Sequence, residues 1–153
     1  MYERFVADCD RMAHSLPVLC MLVTPLRPSQ LRAKPAPHEW SIVEIVGHLI
    51  DTEQLLRYRI ARMCTLDQPA IIPYDQDAAV IRNGYQHADV WALLRTLERE
   101  RATTLQAFRR LTPAHLQRTG WHQEYGLWTV APVVTYLANH DEVHQRQIRA
   151  AVR

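Results

Sequence analysis

Cysteine is scarce in this sequence, and the few cysteines present are not paired. Cys9, Cys20 and Cys64 give an odd number, and no two of them form a CxxC motif. This pattern argues against a disulfide framework and against a site built from thiolate metal ligands. We therefore expect a reducing compartment, in which the three thiols stay free.

Long apolar runs are also missing. No stretch reaches the ~18 consecutive apolar residues that a membrane-spanning helix needs. The first ten residues carry charges in place of the apolar centre of a secretory signal. The sequence therefore predicts a soluble, cytoplasmic protein with no membrane partner.

An excess of charge of one sign is absent as well. The 18 lysines and arginines are balanced by 16 aspartates and glutamates, and the formal net charge is only +2. Because the basic residues are spread along the chain, they form no basic stripe of the kind that nucleic-acid binding requires. With 153 residues and 48% hydrophobic content, the sequence predicts one domain over residues 1–153, with a substantial core and no nucleic-acid partner.

What the sequence does contain is apolar residues at three- and four-residue spacing, the pattern of amphipathic helices. The clearest start signal is a capping box, in which Ser41 and Glu44 satisfy each other's backbone amides. Pro17 should interrupt the first helix, and Ser15 could cap its second part. Four long helices are expected, beginning at Tyr2, Ser41, about Asp89 and Thr129.

The connections between these helices carry the prolines. A long crossover from Thr65 to His87 joins the second and third long helices, and it contains a short helical turn near Ala78 to Ile81. Such connections often close over a site. The sequence thus predicts an all-α four-helix bundle with a long crossover connection and few or no strands.

Two histidines, His140 and His144, interrupt the apolar stripe of the last helix, where a bundle core would have leucine. A four-residue step is about one helical turn, so both imidazoles project from the same face. His48 borders the apolar face of the second long helix. Three neutral imidazoles that converge between packed helices would make an open metal site with room for water or substrate. The alternatives are a dense hydrogen-bond network and a solvent-exposed groove.

The donor set limits the ion but does not name it. Imidazole ligands suit borderline divalent ions such as zinc, nickel, cobalt or ferrous iron. Asp141 or Glu142 could orient a ligand imidazole from just outside the coordination shell. In the same core, Glu53 and Arg101 are placed to form an ion pair between helices, unless both reach the surface.

The remaining polar and aromatic residues are expected to have ordinary structural positions. Trp40 directly precedes the capping box, which indicates packing onto the second long helix more than contact with a substrate. The other histidines lie in linkers or beside loops and are expected at the surface: His14, His38, His87, His115 and His122.

Three segments together resemble a known family. They are the run from Glu39 to Asp51, with the pattern W-S-x-x-E-x-x-x-H, the Pro73-Tyr74-Asp75 segment, and the run from Leu127 to Ile148, with the pattern H-x-x-x-H. These segments, which span nearly the whole chain, resemble the DinB-like (YfiT-like) metalloenzyme family. The resemblance implies a four-helix bundle with an unusual crossover, often dimeric, with metal ligands at His48, His140 and His144.

The resemblance also implies a class of activity. Characterised relatives include metal-dependent S-transferases and isomerases that use low-molecular-weight thiols such as bacillithiol or mycothiol. The first hypothesis is therefore an enzyme in which a divalent ion activates a small thiol or water to attack an electrophilic small molecule. Two alternatives stay open, namely a non-catalytic metal- or ligand-binding stress-response protein of the same fold and a helical homodimer with vestigial histidines.

Overall fold

The computed structural model describes residues 1–152, and Arg153 lies outside the described residues. Four long helices and several short elements follow one another along the chain. In chain order the elements are α1 (Tyr2–Val23), α2 (Pro28–Arg32), α3 (Ile42–Thr65), β1 (Ala70–Ile71), α4 (Gln76–Arg82), a 3₁₀ turn (Tyr85–His87), α5 (Val90–Phe108), α6 (Pro113–Leu116), β2 (Thr119–His122), β3 (Gly126–Thr129) and α7 (Val130–Ala151).

The long helices form a four-helix bundle, as predicted. Helix α1 packs against α7 and α5, and α3 packs against the same two helices. The Ser41 capping box is present. The Ser41 hydroxyl accepts a hydrogen bond from the backbone N–H of Glu44, and the Glu44 carboxylate accepts one from the backbone N–H of Ser41. The start of α3, and with it the position of His48, therefore follows from the local sequence.

Two details of the helices differ from the sequence-based expectation. Pro17 does not interrupt α1, which runs unbroken from Tyr2 to Val23. Packing of α1 against α7 and α5 outweighs the one backbone hydrogen bond that proline removes. Ser15 is accordingly not a helix cap, and its hydroxyl donates to the Met12 carbonyl and to the Asp141 carboxylate.

A small sheet, which the sequence did not predict, lies outside the bundle. Strands β2 and β3 form an antiparallel hairpin in which Trp121 pairs with Leu127. Strand β1 adds to β2 in parallel, with Ala70 opposite Trp121. The connection between α5 and α7 therefore consists of the short helix α6 followed by a hairpin.

A polar layer divides the bundle core into two apolar clusters. One cluster includes Met12, Leu56 and Leu137, and the other includes Leu19, Leu97 and Ile148. Between them, each long helix contributes a buried or half-buried polar side chain, namely Ser15, Glu53, Arg101, Asp141 and His144. Among the described residues, no helix combines the length and the apolarity needed to cross a membrane.

Candidate metal centre

The structure brings His48 of α3 together with His140 and His144 of α7. The Nε2 atom of His140 lies 3.1 Å from the Nε2 of His48 and 3.1 Å from the Nε2 of His144. All three side chains are buried, and each offers a nitrogen within 4.8 Å of the others. Three ring nitrogens from two helices thus point at one shared position.

These spacings fit ligands of one ion better than a set of hydrogen bonds. The Nε2 of a neutral imidazole carries either one proton or one lone pair, so His140 cannot make two linear hydrogen bonds to its two neighbours. A tetrahedral ion with bonds of ~2.0–2.1 Å would hold its nitrogen ligands about 3.3 Å apart. The observed 3.1 Å is close to this value.

The electrostatics keep the cluster in the form that binds metal. Burial, together with the neighbouring His144, lowers the pKa of His48 to about 3. Burial together with both neighbouring histidines and Arg101 lowers the pKa of His140 to about 2. The pKa of His144 is also lowered by burial, although Gln147 and Asp141 oppose the shift. All three imidazoles are therefore neutral near pH 7, and neutral imidazole is the ligand form.

The neighbours that orient these rings are not the ones expected from the sequence. His144 Nδ1 lies 2.8 Å from Oε1 of Gln147, one turn further along α7. Asp141 instead accepts from Arg101 and Ser15, and Glu142 accepts from Arg11 at the surface. Neither carboxylate hydrogen-bonds a histidine within the described part of the chain, because both are engaged by nearby arginines.

Two ring nitrogens in the cluster have no partner. Within residues 1–152, the Nδ1 atoms of His48 and His140 are buried and make no hydrogen bond. Trp40 lies beside the site, with its ring centroid 4.5 Å from that of His48 and 6.3 Å from that of His144. Trp40 therefore packs onto α3, as the sequence indicated, and it also lies beside two of the three histidines.

The predicted ion pair between Glu53 and Arg101 is present, in the layer next to the histidines. Arg101 Nε lies 3.1 Å from each Glu53 carboxylate oxygen, and its two terminal nitrogens donate to Asp141 at 2.8 and 3.0 Å. Burial alone would lower the pKa of Arg101, but Glu53 and Asp141 raise it above its ordinary value. In this cluster each charged group has an opposite charge within hydrogen-bond distance, and its role is structural.

A cavity of about 700 Å³ opens beside the histidines. His48 and His140 are among its lining residues, so an ion in the cluster could be reached from the cavity. Helices α3 and α7 form two walls, and the crossover and the β2–β3 hairpin form the others. The residues from these two connections are Tyr74, Asp75, Gln76, His122, Glu124, Tyr125, Leu127, Trp128 and Thr129.

The crossover is tied to α3 by one carboxylate. Asp51 accepts hydrogen bonds from Tyr85 at 2.6 Å, from Tyr74 at 3.2 Å and from Asn83 at 3.1 and 3.2 Å. The Tyr85 ring also lies directly on Gly47, where an added Cβ would come within 2.2 Å of it. Glycine before His48 thus lets the crossover close onto α3.

Sequence analysis missed two buried residues of the cavity wall. His122 was expected at the surface but is buried, with its ring stacked 4.6 Å from that of Trp128. Arg59 is also buried, and its guanidinium lies 5.6 Å from the Trp128 ring centroid. A hairpin signal in the sequence could have placed them. It consists of two short aromatic and apolar runs, Trp121-His122 and Leu127-Trp128, on either side of a turn that ends at Gly126.

Comparison with solved structures finds the same fold in other proteins. The chain superposes with a TM-score of 0.92 on a Bacillus subtilis protein described as "YfiT from Bacillus subtilis is a probable metal-dependent hydrolase with an unusual four-helix bundle topology", at 22% identity over 99% of this chain and 87% of that one. TT2238, described as a four-helix bundle protein, gives a TM-score of 0.71 at 18% identity over 95% of this chain and 98% of that one. These likenesses establish the fold.

A search of curated protein sequences finds no match. Residues 15–148, in contrast, match the family model of the DinB superfamily, and this range contains all four long helices in whole or in part together with the three clustered histidines. The chain therefore belongs to the DinB superfamily.

Proposed function

We propose that the protein holds a divalent metal ion on His48, His140 and His144 and uses it to activate a small nucleophile in the adjoining cavity. The observation that carries the proposal is the convergence of three buried Nε2 atoms beside a cavity of about 700 Å³ that His48 and His140 line. Similarity in fold to a protein described as a probable metal-dependent hydrolase supports it. When bound, such an ion supplies Lewis acidity, which lowers the pKa of a water or thiol in its open position.

The residues present fit a borderline divalent ion. The three donors are neutral nitrogens, which suit zinc, nickel, cobalt or ferrous iron and are too few and too soft for calcium or magnesium. Gln147 fixes the ring of His144 through its Nδ1, and Thr52 places a hydroxyl 3.4 Å from Nε2 of His48. Three protein ligands leave a coordination position free, which is typical of catalytic and not of structural zinc sites.

The nucleophile comes from outside the protein. Among the described residues, no cysteine, serine or lysine lines the cavity. Burial raises the pKa of Cys9 to about 11 and also raises those of Cys20 and Cys64, so none of the three is an activated thiol. A low-molecular-weight thiol or water would therefore attack an electrophilic substrate, and the displaced group and the proton would leave through the cavity mouth.

The metal site is tested first, by itself. Purified metal-free protein is titrated with Zn²⁺, Ni²⁺ and Co²⁺ while bound metal is measured by mass spectrometry and, for cobalt, by its visible absorption. We expect one ion per chain for the wild type and a loss of at least 100-fold in affinity for His140→Ala. His38→Ala, which removes an exposed histidine, is the matched control and should bind as the wild type does.

Activity is tested next, with the ion in place. Zinc-loaded protein is given 1-chloro-2,4-dinitrobenzene with a small thiol, and separately p-nitrophenyl acetate in water. A rate that depends on the thiol supports transfer, and a rate that does not depend on it supports hydrolysis. His144→Ala should reduce either rate to background. Stoichiometric binding of the ion without any rate would leave a non-catalytic metal-binding protein, the alternative that the fold also accommodates.

A further inference from the structure

Arg59 is a buried cation in the cavity wall that has no carboxylate partner within the described residues. Arg59 of α3 is 8% exposed and lines the cavity. Within residues 1–152, no carboxylate comes within 4.0 Å of its guanidinium. Arg101, which is 3% exposed, has two carboxylates. Since a buried cation without a counter-charge is costly, Arg59 is an exception that calls for an explanation.

The guanidinium is held in place but keeps free donors. One terminal nitrogen, Nη2, donates to the carbonyl of Ile72, and the guanidinium carbon lies 5.6 Å from the ring centroid of Trp128. These two contacts fix the plane of the group and use few of its five N–H donors. Burial lowers the pKa of Arg59, and a lowered pKa of this kind reports a charge that lacks compensation.

The surroundings of Arg59 are mostly aromatic. His122 and Trp128 stack against each other, and Tyr125 lies 4.8 Å from the His122 ring centroid. Two acids, Asp75 and Glu124, also line the cavity, but neither pairs with Arg59. The wall around the guanidinium thus offers aromatic faces together with one fork of hydrogen-bond donors, a combination that suits a planar apolar group carrying an anion.

We infer that the cavity takes an organic anion with an aromatic or apolar body, and that Arg59 binds its anionic group. His48 and Arg59 are eleven residues apart on α3, which is about three turns, so both face the cavity about 16 Å apart along the axis. The anionic group at Arg59 would hold the other end of the molecule toward the histidines. Only this last point rests on the proposed function, because anion binding by Arg59 does not require a metal.

The test uses two fluorescent probes that differ by one group. 1-Anilino-8-naphthalenesulfonate carries a sulfonate, and N-phenyl-1-naphthylamine has the same aromatic body without it. Affinities of both are measured for metal-free and zinc-loaded protein. We expect the wild type to prefer the anion by about tenfold or more, Arg59→Gln and Arg59→Met to lose that preference, and Arg59→Lys to retain part of it.

The matched control is Arg62→Gln, which removes the same charge from the next turn of α3, where the guanidinium lies over Tyr58 and not in the cavity. Equal affinity of the wild type for the two probes, an unchanged preference in Arg59→Gln, or an equal loss in Arg62→Gln would each overturn the inference. A failure of both Arg59→Gln and Arg59→Met to fold would also overturn it, because Arg59 would then serve the fold.

The two proposals fail independently. A preference for the anion that depends on Arg59 in metal-free protein supports the inference even if no ion binds to the histidines. Binding of zinc to the histidines without any preference for the anion leaves the proposed function standing and removes the inference.

Discussion

The bundle contains two neighbouring polar clusters to which α3 and α7 both contribute, and they differ in how their donors and acceptors are satisfied. In the cluster around Arg101, every charge meets an opposite charge within hydrogen-bond distance. In the cluster of His48, His140 and His144, three ring nitrogens face one another and two others have no partner in the described chain. Both clusters are buried, so the balance of donors and acceptors separates a structural cluster from a candidate ligand site.

Breaking the cluster around Arg101 should have the largest effect on stability. Arg101→Met leaves the carboxylates of Glu53 and Asp141 buried without a counter-charge, and we expect a loss of about 3–5 kcal/mol in the free energy of unfolding. Urea denaturation followed by circular dichroism measures this loss.

Arg57→Met is the matched control, because Arg57 forms a half-buried pair with Glu100 at the side of the bundle. Its loss should stay within about 1 kcal/mol. Equal losses for Arg101→Met and Arg57→Met would remove the distinction between the two kinds of cluster.

Adding zinc should stabilise the protein through the histidine cluster. If zinc binds only the folded state, a free concentration 100 times the dissociation constant stabilises the protein by about 2.7 kcal/mol. The melting temperature of wild type should rise accordingly in a thermal scan with and without zinc.

The same scan separates specific from general metal effects. His140→Ala should show no rise, whereas His38→Ala should rise as the wild type does. An equal rise in both variants would mean that zinc binds elsewhere on the chain.

A steric change at Gly47, beside the histidines, should lower stability without displacing the nitrogen atoms of the histidines. In Gly47→Ala, the new methyl group meets the Tyr85 ring at 2.2 Å, so the crossover must shift, at an expected cost of about 1–3 kcal/mol. The stabilisation by zinc should be unchanged, because the clash is with Tyr85 and not with a histidine.

Gly84→Ala provides the comparison for this steric effect. An added Cβ there meets nothing within 4 Å, but the backbone φ of +66° disfavours any side chain, so only about 1 kcal/mol should be lost. A larger loss at Gly84 than at Gly47 would contradict the packing described for Tyr85.

Lowering the pH should destabilise metal-free protein through the histidine cluster. The pKa of His48 is about 3 in the folded state, against an ordinary value of 6.5 that unfolding would restore. Below pH 6.5 the unfolded chain therefore binds the extra proton, and stability is lost as the pH falls toward 3.

The contribution of His48 can be isolated by difference. His48→Leu should lower the slope of unfolding free energy against pH by up to about 1.4 kcal/mol per pH unit in this window. Urea denaturation at pH 6.5, 5.5 and 4.5 measures the slope, and identical slopes for variant and wild type would show that His48 is not held neutral.

Local sequence signals predicted much of this arrangement. The capping box fixed the start of α3, and helical spacing alone indicated that His140 and His144 share a face and that Glu53 and Arg101 could pair. These inferences succeeded because each depends on a short-range rule, either the chemistry of a helix start or the periodicity of a helix.

What the sequence did not predict depends on contacts between distant segments. Pro17 stays inside α1 because α5 and α7 hold that helix. His122 and Arg59 are buried only because the hairpin folds back over α3. Gln147, and not Asp141, orients His144, because Arg101 already occupies the carboxylate. Periodicity carries no information about such competition between partners.

The cavity has walls of two kinds. The clustered imidazoles stand on long helices whose positions are set by the core, whereas the remaining walls are made by the crossover and the hairpin, which lie outside the bundle. Connecting segments accept insertions and exchanges that core helices do not. The fold is thus suited to diversification by grafting: a new crossover or hairpin would alter the shape of the cavity and leave the three histidines in place.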